Sequence, residues 1–158
     1  MILYHGSNTS FEHIDLTKSL PNKDFGKGFY LSDNYEQAEE MAKFKVVISG
    51  GKAIVQSYQT DDAILEDTTL KIKTFKAYTQ EWAEFILTNR NNHSDVPAHD
   101  YDIVYGPIAN DKVGMQIRKY KDGSINFEEF LHRLHYMKGI TFQYFFGTEK
   151  AINKLRKL

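Results

Sequence analysis

The chain has 158 residues, enough for one domain that buries its own core without covalent staples. It has no cysteine, which excludes disulfides and thiolate zinc sites, and 20 basic against 21 acidic residues leave a formal charge of -1, which gives no bulk attraction to nucleic acid. Met1-Ile2-Leu3-Tyr4-His5 has neither a basic region nor a long apolar run, so a cytoplasmic protein with no membrane span is expected, as a single domain over residues 1–158.

The pattern predicts a short apolar strand from Ile2 to His5 with Leu3 and His5 on one face, closed by turn chemistry at Gly6-Ser7-Asn8. Asn8 to Lys23 reads as a loop with one helical turn, of a size that is often functional. A helix follows Asp33, the expected cap, with Glu36 closing a capping box; Tyr35, Ala38, Met41 and Ala42 form its core stripe, and it frays over Phe44 to Ile48 before Gly50-Gly51. Strands are expected over Ala53 to Tyr58 and Leu70 to Phe75, then a helix over Thr79 to Asn89 with Trp82, Phe85 and Ile86 inward. Tyr101 to Tyr105 is a strand, Asp111 to Tyr120 a weaker helical stretch, and Ser124 to Met137 a helix with Phe127, Phe130, Leu131 and Leu134 inward. Ile140 to Phe146 is an aromatic strand that points Gln143 away from its more apolar side. Glu149 to Leu158 reads as a terminal helix. Strands and helices without regular alternation predict an α+β domain.

Asp24-Phe25-Gly26-Lys27-Gly28-Phe29-Tyr30-Leu31-Ser32 is the stretch around which the rest is organised. Two glycines one residue apart permit positive φ or a close approach to a ligand. A dinucleotide fingerprint needs a third glycine and a P-loop needs Ser or Thr after Gly-Lys, so neither fits.

Leu3-Tyr4-His5-Gly6-Ser7 followed by Phe25-Gly26-Lys27-Gly28-Phe29-Tyr30 resembles the ADP-ribosyltransferases of the diphtheria-toxin and poly-ADP-ribose-polymerase type. In that family a strand ending in His-Gly-Ser precedes one entered through Phe-Gly-x-Gly-x-Tyr. The resemblance implies split β-sheets with packed helices, NAD as substrate, and transfer of ADP-ribose to a protein or nucleic acid with release of nicotinamide. It places the adenosine-side ribose on His5, the nicotinamide amide on the Gly6 backbone, and the nicotinamide ring against Tyr30, with Ser7 and Gly28 completing the binding set. A lone tyrosine is also at home as a core aromatic, and a lone histidine as a hydrogen-bonded strand end.

The family's third position, a glutamate at the start of a late strand, falls on Gln143. An amide grips ribose hydroxyls but carries no charge and is no general base, which implies transfer of a single ADP-ribose rather than a polymer. Glu149 is the nearest alternative carboxylate in sequence, and a helix-capping role suits it equally. Where the family often has a serine and a second tyrosine, this chain has Ala38 and Met41. Asn22, Lys23 and Lys27 stand beside the turn as candidates for the pyrophosphate or as solvated loop residues. His132 and His135, three apart on a helix, lack a third ligand, so no metal site is expected. His99-Asp100-Tyr101-Asp102 and Asn110-Asp111-Lys112 flank a strand as acceptor-side or turn-capping residues. The resemblance extends to small bacterial domains regarded as candidate toxins with a small antitoxin partner. Two other readings stay open: an NAD glycohydrolase, and a module that binds NAD, ADP-ribose or a protein without turnover.

Overall fold

Two separate β-sheets, each covered by helices, make up the computed structural model, which describes residues 1–137 and 139–158. β1 (Ile2–Ser7), β3 (Ile54–Gln59) and β7 (Arg156–Lys157) form one antiparallel sheet in the order β1-β3-β7. β2 (Phe29–Leu31), β4 (Ile72–Thr74), β5 (Ile103–Pro107) and β6 (Phe142–Phe146) form the other, in the order β2-β6-β5-β4. Its β4 and β5 run parallel and are joined through α2 (Gln80–Arg90), while the other pairs are antiparallel. The α+β expectation therefore holds.

The helices start where the side-chain chemistry dictates. α1 (Tyr35–Ser49), α2, α3 (Asp111–Lys121), α4 (Phe127–His135) and α5 (Glu149–Ile152) are capped by Asn34, Thr79, Asn110, Asn126 and Thr148. Each side chain accepts from the N–H three residues on, satisfying a donor that has no partner inside the helix. Among the described residues no helix is long and apolar enough to cross a membrane.

The described residues form two cores. One joins Leu3, Phe29, Leu31, Tyr58, Ile103, Tyr144 and Phe146 from strands of both sheets, with Ala151 of α5. The other sets Phe25, Val104 and Phe145 against Trp82 and Ile86 of α2, Val113 and Ile117 of α3, and Phe130 and Leu134 of α4. Asp102 ties the pieces at one end: its carboxylate accepts from Lys71 N–H at 2.8 Å and from the Thr148 hydroxyl at 2.6 Å. Burial alone would raise its pKa, but those hydrogen bonds outweigh it and hold the carboxyl below its ordinary value.

Five expectations need correction. The chain after Ile152 is not helix: it turns and adds β7 to the edge of β3, pairing Lys157 with Tyr58 and Arg156 with Gln59. The apolar positions there fit either period, and the open edge of β3 decides. α1 is capped by Asn34 rather than Asp33, and it runs unbroken to Ser49. Its buried residues are Ala38 and Ala42, whereas Tyr35 is 51% and Met41 50% exposed, because the helix lies too close to β1 for larger side chains. The α4 helix is shorter than predicted, opening at Asn126 and ending at His135.

Candidate functional site

The site is built at the place where the two sheets separate. Tyr4 of β1 and Ser32, just beyond β2, exchange both backbone hydrogen bonds, at 2.7 and 2.9 Å. Alternate residues of a strand direct their backbone groups to the same edge, so the next rung of this ladder would join Gly6 to Tyr30. It does not form. The Tyr30 carbonyl accepts instead from His5 Nδ1 at 2.7 Å, and the Gly6 carbonyl accepts from the Lys45 ammonium at 2.7 Å.

A carbonyl only accepts, so His5 carries its hydrogen on Nδ1, and its Nε2 is an acceptor while the ring is neutral. Burial, reinforced by the positive charge of Lys45, lowers its pKa from 6.5 to about 3, against the opposing effect of the Tyr30 carbonyl. The ring is held by stacking on Phe29, with centroids 4.3 Å apart, and by the edge of Phe11. Because the folded pKa lies below the unfolded one, the native state binds fewer protons. Its contribution to stability is complete above pH 6.5 and is lost progressively as the pH falls from there toward 3. Denaturant midpoints are therefore expected to drop between about pH 7 and about pH 5. His5→Gln, which keeps a donor for Tyr30 but does not titrate, should flatten the drop; an unchanged slope would assign it to another group.

Gly6 is required by packing. A Cβ there would stand 1.9 Å from the Ala38 carbonyl oxygen, so α1 lies directly on the bare backbone of β1. Ser7 is buried, and its hydroxyl accepts a long bond from Thr9 N–H at 3.4 Å within the following turn.

Tyr30 is fixed from both ends of the glycine-rich turn. Its hydroxyl donates to Gly26 O at 2.6 Å and accepts from Phe25 N–H at 3.0 Å. Burial and the nearby Asp24 carboxylate push its pKa well above 10.0, so the phenol stays protonated. The ring meets Phe145 edge-on, stacks offset on Phe25, and has the Lys23 ammonium 5.4 Å from its centroid. The turn needs its glycines for two different reasons. Gly26 has φ +90°, whereas a Cβ on Gly28 would lie 2.2 Å from the Phe145 ring. The close approach anticipated at Gly28 is thus made by Phe145, and the Gly28 N–H goes to Ser19 Oγ at 3.0 Å. Arg90 of α2 anchors the turn through Asp24 at 2.7 Å.

Gln143 sits opposite Gly106, on the same face of β6 as Phe145, which pairs with Tyr30. That places Gln143 and Tyr30 on one face of the four-stranded sheet. Its Nε2 is buried among the described residues without a hydrogen-bond partner, a state that ordinarily costs about 1–3 kcal/mol. Glu149 is exposed and lies beyond the far end of β6, up to about 20 Å of extended chain from Gln143.

The other candidates lie elsewhere. Asn22 is exposed, and Lys27 is 3.8 Å from Asp95. His132 and His135 are both exposed on α4, and among the described residues no cluster of side chains is suited to a metal. His99 has both ring nitrogens engaged, Nε2 donating to Phe25 O at 2.7 Å and Nδ1 accepting from Tyr101 N–H at 3.1 Å. It lines a cavity of about 610 Å³ together with Gly26, Lys27, Asn89, Asn92 and Phe145. This cavity touches the glycine-rich turn but contains neither His5, Tyr30 nor Gln143.

Sequence reasoning missed Lys45, whose role depends on the helix crossing β1; no local motif marks it. Comparison with curated proteins found no match. Over residues 1–157 the sequence matches the family described as protein of unknown function DUF3990, and the chain belongs to that family.

Proposed function

We propose that the protein is an NAD-dependent mono-ADP-ribosyltransferase of the split-sheet type, with the parting between β1 and β2 as its NAD site. The observation that carries this reading is the break in the ladder between Gly6 and Tyr30, where a neutral imidazole acceptor, a bare glycine backbone and an aromatic ring meet, with the unsatisfied amide of Gln143 on the same sheet face as that ring. His5 Nε2 suits a ribose hydroxyl, and the Gly6 backbone suits a planar amide. The Tyr30 ring already has an ammonium nearby, and that same electron-rich face suits the pyridinium of NAD. Gln143 Nε2 supplies a donor for the second ribose.

In the transfer, the bond between the ribose carbon and the nicotinamide nitrogen breaks. Its electron pair neutralises the pyridinium, and the acceptor's oxygen or nitrogen bonds to the ribose carbon. The acceptor proton passes to a base of its own or to water, since His5, with its pKa lowered to about 3, is too weak a base to hold it, Tyr30 stays protonated and Gln143 is an amide. What the chain contributes is positioning and a fixed polar environment rather than base catalysis.

Incubation with adenylate-labelled NAD and lysate should release nicotinamide and give discrete labelled bands. Gln143→Ala should lower the rate by about 10-fold or more with NAD affinity within a few-fold, because the contact acts mainly by positioning the ribose in the transition state. Nicotinamide release without label transfer would identify a glycohydrolase. NAD binding without nicotinamide release would reduce the protein to a binding module.

A further inference from the structure

We propose that Lys45 and Lys23 form a two-cation site for the pyrophosphate of a dinucleotide, and that Lys45 leaves the Gly6 carbonyl to bind it. The assignment rests on the reading that a dinucleotide occupies the parting of the sheets. Lys45 reaches in from α1 to Gly6 on the β1 side, and Lys23 approaches the Tyr30 ring on the β2 side. His5 spans the gap between those residues through Tyr30 O. Among the described residues neither lysine belongs to an ion pair, although the chain makes several elsewhere.

Two ammonium groups near one another without a counter-charge are held at an electrostatic cost that a bound dianion would remove. Burial and then the charge of Lys23 bring Lys45 down to about 8, while Lys23 is lowered by burial alone. The neutral His5 adds no third charge to the cluster. The present bond of Lys45 to Gly6 O also blocks the carbonyl that the nicotinamide amide would use. Drawing Lys45 onto the phosphates frees it, so binding at one end of the ligand prepares the other.

Calorimetry with ADP-ribose, inorganic pyrophosphate, adenosine and nicotinamide tests the assignment. Wild type should bind ADP-ribose and, more weakly, pyrophosphate. Lys45→Met should weaken ADP-ribose by about 10-fold or more, while Lys45→Arg stays within a few-fold. Lys23→Met should act in the same direction, and adenosine should be unaffected by any of the three. Thermal melts establish that each variant is folded, and Lys23→Met decides if Lys45→Met is not. Unchanged ADP-ribose affinity in a folded Lys45→Met, with NAD still cleaved, overturns the two-cation site and leaves the transferase reading standing. Lysine-dependent binding of pyrophosphate and ADP-ribose without any cleavage of NAD supports the site and overturns the transferase.

Discussion

Gly6→Ala is expected to destabilise the protein by about 3 kcal/mol or more, enough to remove a large part of the stability of an ordinary domain. The added methyl would stand 1.9 Å from Ala38 O and 2.9 Å from both Ala38 C and Ala42 N. These are helix backbone atoms, so no side-chain rotation relieves the clash, and α1 must lift from β1. Lifting it carries Lys45 away from the parting of the sheets, so any surviving folded fraction should also bind NAD poorly. Gly114→Ala is the matched control. It makes the same chemical change inside α3, where a Cβ meets nothing within 4 Å, and should stabilise by about 0.5–1 kcal/mol through helix propensity. Urea denaturation of both variants checks the pair. Equal and small effects would mean that α1 is not seated on β1 as described.

Tyr30→Ala should lose about 4 kcal/mol of stability, because a large ring leaves the core and two turn groups lose their partner. Stability loss on that scale obscures any role in binding, and two milder variants separate the contributions. Tyr30→Phe keeps the ring but orphans Phe25 N–H and Gly26 O, and should cost about 1–3 kcal/mol with NAD affinity nearly retained. Tyr30→Leu keeps much of the bulk without an aromatic face, and should weaken NAD by a further 1 kcal/mol or so. Denaturation and calorimetry on the same samples give both quantities. A folded Tyr30→Leu with unchanged NAD affinity would make Tyr30 a purely structural tyrosine.

The parts of the candidate site whose geometry is local are legible in the sequence. His5 and Gly6 are consecutive, and Tyr30 follows a turn whose glycines announce themselves. Gln143 is marked by a polar residue inside an aromatic strand. Residues whose partners are distant in the chain carry no such local mark. Lys45 meets Gly6 across 39 residues, Arg90 meets Asp24 across 66, and Thr148 meets Asp102 across 46. No periodicity encodes such pairs. β7 was missed for the same reason, since the edge of β3 converts an amphipathic tail into a strand. Gly28 shows a subtler limit: the requirement for glycine was legible, but not that Phe145 rather than a ligand imposes it. The stripe expected on α1 holds at Ala38 and Ala42 but not at Tyr35 and Met41, because a helix resting on a bare glycine buries only alanines.

A crystal structure of the protein soaked with NAD is the most direct test of the central claim. The account predicts the dinucleotide in the parting of the sheets, with a ribose hydroxyl on His5 Nε2, the nicotinamide against Tyr30, a ribose within reach of Gln143 Nε2, and Lys45 moved from Gly6 O to the phosphates. NAD seated instead in the cavity beside His99 and Asn92, with Lys45 still on Gly6 O, would contradict it.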